Sequence, residues 1–116
     1  MLPRASRLNS SGEFRSTIRR GVRVGRPSLV LHAGATPGRD SVRVGFVVSK
    51  AVGNAVTRNR VKRRLRHLAA AELGRTPRGV DVVVRALPRS AEPGTDLASE
   101  LASAWAKAVR RLGSTP

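Results

Sequence analysis

The stretch Arg43-Val44-Gly45-Phe46-Val47-Val48-Ser49-Lys50-Ala51-Val52-Gly53-Asn54-Ala55-Val56-Thr57-Arg58-Asn59-Arg60-Val61-Lys62-Arg63-Arg64-Leu65-Arg66 carries two periods in succession. Val42, Val44, Phe46 and Val48 alternate with Arg43, Gly45, Val47 and Ser49. A period of two sends successive side chains to opposite faces, so this half reads as a strand. From about Ala55 to Leu73 the spacing becomes helical: Thr57, Val61, Leu65, Leu68 and Glu72 fall on one side, with Ala69 beside them. Gly74 is the expected stop. A strand running at once into a long helix points to a mixed α+β domain.

The flanking sequence supports that reading. Ser10 with Glu13 three positions on is a capping-box pattern opening a short helix, in which Phe14 and Ile18 share a face and which Gly21 closes. A weak strand is expected around Val22 to Val24, and a firmer one over Ser28-Leu29-Val30-Leu31-His32, ended by a loop from Gly34 to Arg39. Val80-Asp81-Val82-Val83-Val84-Arg85 is a further strand. After a loop from Pro88 to Gly94, Asp96 opens a last helix with Leu97, Leu101, Ala104, Trp105, Ala108 and Leu112 on one stripe, where Trp105 is expected in the core. The expected order is α-β-β-β-α-β-α: an α+β single-domain sandwich over residues 1–116, a four-stranded sheet packed with helices, with flexible ends at 1–8 and 113–116.

Charge narrows the function. The chain has 23 Lys and Arg against 7 Asp and Glu, a net charge of +16. Such an excess opposes compaction unless a polyanion meets it. It is also uneven. Residues 1–26 hold seven basic side chains and one acid, residues 50–66 hold seven and none, and residues 67–116 hold seven against five. The middle and the N-terminal segment are the expected contact surfaces. A membrane partner is not expected: no apolar run approaches the roughly 20 residues that span a bilayer, and no apolar h-region follows Met1-Leu2-Pro3-Arg4. With no cysteine there are no disulfides, Cys–zinc sites or thiol nucleophiles, which suits a reducing, cytoplasmic location.

On the basic helix, Val61, Leu65 and Leu68 point inward while Asn59, Arg60, Lys62, Arg63 and Arg66 cover most of the opposite side. Arg offers a planar fork for two phosphate oxygens and Lys a mobile point charge. Asn59 adds a neutral donor and acceptor suited to a sugar hydroxyl, a base edge or a hydrated metal. Gly53 and Asn54 are placed to form a turn that bares the helix's first amides to an anion, and Gly53 reads equally as a plain turn residue.

The ordered block from Arg43 to Lys50, then Val52-Gly53-Asn54-Ala55-Val56 and Arg58-Asn59-Arg60-Val61-Lys62-Arg63, closely resembles the signature of the bacterial ribonuclease P protein subunit. The Arg-Asn-Arg core is that family's hallmark, and the likeness takes in Arg7-Leu8, Phe14 and Leu29-Val30-Leu31. The resemblance implies a fold shared with a ribosomal-protein domain, with a left-handed βαβ crossover through the basic helix, against the usual hand. It implies two partners: a catalytic RNA subunit that performs Mg²⁺-dependent hydrolysis, with Mg²⁺ held mainly by that RNA, and precursor tRNA, whose 5′ leader is removed. On that reading Lys50, Asn54, Arg58, Asn59, Arg60, Lys62, Arg63 and Arg66 bind the RNA subunit. Phe14, Arg15, Ile18, Arg19 and His32 bind the leader. No protein residue is expected to be catalytic, and no metal ligand is assigned among them.

Two positions depart from the family's pattern: Ile18 stands where Phe is frequent and His32 where Tyr is. Leader contact is therefore expected to rest more on apolar packing, the His32 ring, Arg15 and Arg19 than on stacking. Core packing for Phe14 and Ile18, and a plain strand histidine for His32, are the competing readings. An autonomous nuclease needs clustered carboxylates or a histidine pair, and His32 and His67 stand apart. A ribosomal protein accounts for the charge but not for the ordered block. A DNA reader needs outward amides, for which Asn59 alone is thin support, so DNA is not expected as a partner.

Overall fold

A computed structural model of the chain describes residues 6–8, 11–36 and 38–113. The seven elements follow the expected order. They are α1 (Ser11–Arg20), β1 (Val22–Gly25), β2 (Leu29–Ala35), β3 (Arg43–Val47), α2 (Ala55–Ala70), β4 (Val80–Ala86) and α3 (Leu97–Gly113). The capping box at Ser10 lies outside the described residues, as do residues 1–5 and 114–116 of the two expected flexible ends.

The strands form one mixed sheet in the order β1-β2-β4-β3. β1, β2 and β4 pair antiparallel, while β3 pairs with β4 in parallel, so α2 is the crossover between them. A parallel pair cannot be closed by a tight turn and needs a long connection. One sheet face carries Leu29, Leu31, Ala33, Val82 and Val84, all fully buried. Val61, Leu65 and Ala69 of α2 and Leu101, Ala104, Trp105 and Ala108 of α3 close that core. Trp105 is buried as expected, and its indole N–H donates to Thr76 Oγ1 at 2.8 Å.

α1 lies on the opposite face, against β2 and β4. Two glycines permit this approach: a Cβ at Gly45 would overlap the Phe14 ring, and one at Gly21 would overlap the Ala33 carbonyl. Asn54 caps α2 by accepting from Thr57 N–H at 2.9 Å, and Asp96 caps α3 by accepting from Ser99 N–H at 3.0 Å.

Two expectations need correction. The basic helix ends at Ala70, short of Leu73: the Ala71 and Glu72 amides turn back to Leu68 and Ala69, and Leu73–Arg75 forms a separate 3-10 turn containing Gly74. The N-terminal segment is docked before residue 8, because Arg7 bridges Val44 in parallel and the Leu8 N–H donates to the Val44 carbonyl at 3.0 Å. Leu8 is itself buried, so Arg7 and Leu8 are fastened to the β3 edge by a single bridge.

Candidate nucleic-acid interface

Folding sorts the cations into two groups. Arg39 and Arg43 both meet the buried Asp81 carboxylate, with Arg43 Nε and Nη2 each donating at 3.1 Å. Arg26 donates to Ser103 Oγ, Arg111 to the Arg23 carbonyl, and Arg20 to Ser16 Oγ. These side chains serve the fold. By contrast, no ion pair or hydrogen bond among the described residues holds the side chains of Lys50, Arg60, Lys62, Arg63, Arg64 or Arg66. A long unpaired cation kept at a surface without a neighbouring acid is available to phosphate.

The helix presents these residues as two flanks. On the side facing the β3 edge, Arg58, Asn59 and Lys62 surround a pocket of about 170 Å³ with Val48 and Ala55. Arg58 is half-buried there, and its Nε is buried without a partner. Lys62 and Arg66 also border a pocket of about 190 Å³ with Arg7, Phe14 and Phe46. On the other side, Arg60, Arg63, Arg64 and His67 line a groove against residues 90–97. The expected RNA-subunit set is thus brought onto one helix but divided between its sides. Lys50 stands apart from it, exposed in a 3-10 turn (Lys50–Val52) before the helix. Asn54 carries a structural task as well, since its Oδ1 takes the Thr57 amide that the sequence reading left open to an anion.

The second surface is the sheet face beside α1. Register places Gly45, Val83, His32 and Arg23 in one transverse row across β3, β4, β2 and β1. The Phe14 ring sits on Gly45 at one end of this row. His32 lies two strands away, about 10 Å at the usual strand spacing. The structure therefore joins Phe14 and His32 on one face. Phe14 is half-buried, so its ring both seats α1 and borders open space. Ile18 is half-buried too, while Arg15 and Arg19 stand exposed on α1.

His32 is 6% exposed, and its Nδ1 has no hydrogen-bond partner among the described residues. Burial lowers its pKa from the usual 6.5, and the nearby Arg85 and Arg23 guanidiniums lower it further. At neutral pH the ring is uncharged, with a nitrogen left for a ligand, between two cations. Because the folded pKa is depressed, His32 favours folding above about pH 6.5 and opposes it as pH falls below that value. Arg23 and Arg85 were missed by sequence reasoning. Only the register, Arg23↔His32 and Val30↔Arg85, brings them beside the histidine.

The chain matches the family model described as Ribonuclease P over residues 2–109. The chain belongs to the ribonuclease P protein family. It is 54% identical over 112 residues to the ribonuclease P protein component of Kocuria rhizophila, covering 96% of this chain and 98% of that one. It is 48% identical over 116 residues to the Nocardioides protein of the same description, covering 98% and 97%. The ribonuclease P protein of Thermotoga maritima superposes with a TM-score of 0.71 at 25% identity, covering 90% of this chain and 96% of that one. That of Staphylococcus aureus shares the fold with a TM-score of 0.70 at 23% identity, covering 94% and 95%. The chain's activity is that of the family: protein subunit of the tRNA-processing ribonuclease P holoenzyme, in 5′-end maturation.

Among the described residues no three His, Cys, Asp or Glu side chains come together. They offer no carboxylate or imidazole cluster to hold the Mg²⁺ that the family implies. Nor is any helix among those residues long and apolar enough to cross a membrane. What the arrangement supplies is charge. Two basic clusters of seven side chains each, in residues 1–26 and 50–66, correspond to roughly 5–8 phosphate contacts. A titration of log K against log salt should then fall with a slope of about −4 to −7. A slope flatter than about −2 would show the charge to be idle.

Proposed function

We propose that the protein docks on the catalytic RNA through α2 and holds the 5′ leader of precursor tRNA on the sheet face beside α1. Lys50, Arg58, Asn59, Arg60, Lys62, Arg63 and Arg66 make the RNA-subunit contacts, with Asn54 anchoring the helix start. Phe14, Arg15, Ile18, Arg19 and His32, joined by Arg23 and Arg85, receive the leader. The observation that carries this reading is the unpaired, acid-free set of cations on α2, kept free while neighbouring arginines are consumed inside the fold. Hydrolysis and its Mg²⁺ belong to the RNA in this reading. The protein lowers the repulsion between RNA subunit and substrate and selects the precursor through its leader. A cytoplasmic location is in keeping with the cysteine-free chain.

Cleavage of precursor tRNA at low Mg²⁺ tests this with three mixtures. RNA with protein should remove the leader accurately, RNA alone should be severely impaired, and protein alone should leave the substrate intact. Accurate leader removal by the protein alone would overturn the division of labour.

A further inference from the structure

A large concavity flanks the proposed docking helix on the side away from β3. It is a groove of about 750 Å³ between α2 and the segment 90–97 that leads into α3. Its composition is two-layered. Val61, Leu68, Ala91, Pro93 and Leu97 contribute apolar surface, with Val61 and Leu97 buried. Arg60, Arg63, Arg64 and His67 line the α2 side, all exposed and none held by an ion pair or hydrogen bond among the described residues. A lone acid, Glu92, faces them, and it is itself within 3.8 Å of Arg89.

A cavity of this size is in the range of a small organic ligand. The pairing of apolar surface with fixed positive charge matches a group with a flat hydrophobic face and an attached anion. An unstacked nucleotide has that chemistry: the base meets apolar surface and arginine planes while its phosphates meet the cations. A peptide would find charge suited only to acidic side chains and no exposed strand edge to pair with. The groove also shares Arg60 and Arg63 with the helix proposed to dock on RNA, so its occupant arrives with that docking.

We propose that this groove receives a nucleotide extruded from the RNA subunit, with Arg64 and His67 as phosphate contacts beyond the Arg58–Arg66 set named above. The inference rests on the docking reading and deepens it. It predicts that docking depends on the shape of a cavity as well as on charge.

Ala91→Trp keeps the charge constant and fills the groove. It should weaken binding of the ribonuclease P RNA about tenfold, the scale of losing one stacked base. Its melting temperature, measured in parallel, should stay close to that of the parent. A second arm uses the absence of cysteine. Pro93→Cys carrying a photoactivatable crosslinker should attach to an unpaired nucleotide of the RNA, whereas the same label at Ala106→Cys, exposed on α3, should not. Unchanged RNA affinity in folded Ala91→Trp, or crosslinking no stronger from position 93 than from 106, would overturn the groove while Arg58→Ala still weakens docking. Failure of the parent protein to bind the RNA at all would overturn both readings.

Discussion

Replacing Asp81 with alanine is expected to cost about 3 kcal/mol of folding stability, the lower end of what breaking a buried ion pair commonly costs. The carboxylate side chain is 7% exposed and holds two guanidiniums, Arg39 at 24% and Arg43 at 21%. Removing it leaves two partly buried cations without their counter-charge, in a protein that already carries +16. It also unties three segments at once, since Asp81 lies on β4, Arg43 on β3 and Arg39 in the loop between β2 and β3. That loop is also held to the β4 entry at the Gly79 carbonyl, which accepts from Thr36 N–H at 2.7 Å and from Arg39 Nη2 at 3.5 Å. In thermal unfolding the melting temperature should drop by roughly 10–20 °C. Asp96→Ala, which removes an exposed helix cap, should cost only about 1 kcal/mol. Equal losses from the two substitutions would mean that the Asp81 cluster is an ordinary surface pair.

Much of the fold is legible because period and punctuation agree. The alternation through Val44, Phe46 and Val48 and the helical spacing of Val61, Leu65 and Leu68 each put the right residues inward, though Phe46 is only partly buried. Asp96 caps the helix it was expected to open, whereas Asn54 takes up an amide that its turn was expected to bare. What could not be read was long-range. Leu8 next to Arg7 gives no strand signal by itself, and it is buried because the β3 edge offers backbone partners. Leu73 continues the apolar period of the basic helix, but a tightened turn at Ala71 takes it out of the helix.

The site divides along the same line. A helical wheel shows that the α2 cations avoid the core, yet not that they fall on two flanks with different neighbours. That division is set by β3 on one side and residues 90–97 on the other. Arg23, His32 and Arg85 are far apart in sequence and meet only through sheet register. Phe14 needed the structure most. Its ring on Gly45 is core packing by one measure and pocket lining by another, and it shares that pocket with Lys62 and Arg66. Phe14 is thus a junction between the two proposed surfaces rather than a clean reporter of either.

The clean reporters are Arg60 and Arg63 for docking and Arg85 and His32 for the leader. Arg60 and Arg63 are exposed on α2, so truncating them leaves the core intact. Each is expected to lose a charge-assisted contact of about 1–3 kcal/mol, and the pair should lower affinity for the RNA subunit by about 30-fold or more. Arg85 is exposed on the other side of the sheet, beside the buried His32. Loss of that pair should weaken precursor tRNA binding by the assembled holoenzyme by about tenfold or more. Mature tRNA, which has no leader, should be bound as before. His32→Phe with Arg85→Ala keeps a ring in the buried site should the alanine at 32 prove unstable.

The decisive measurement is a set of three dissociation constants for each double variant: ribonuclease P RNA, precursor tRNA on the holoenzyme, and mature tRNA on the holoenzyme. With Arg60→Ala/Arg63→Ala, RNA-subunit affinity should fall while the precursor-to-mature ratio of the assembled complex stays at its parent value. With His32→Ala/Arg85→Ala, the ratio should collapse while RNA-subunit affinity holds. Parallel losses of all three affinities in both variants would contradict two separate surfaces and leave only a generally basic RNA-binding domain.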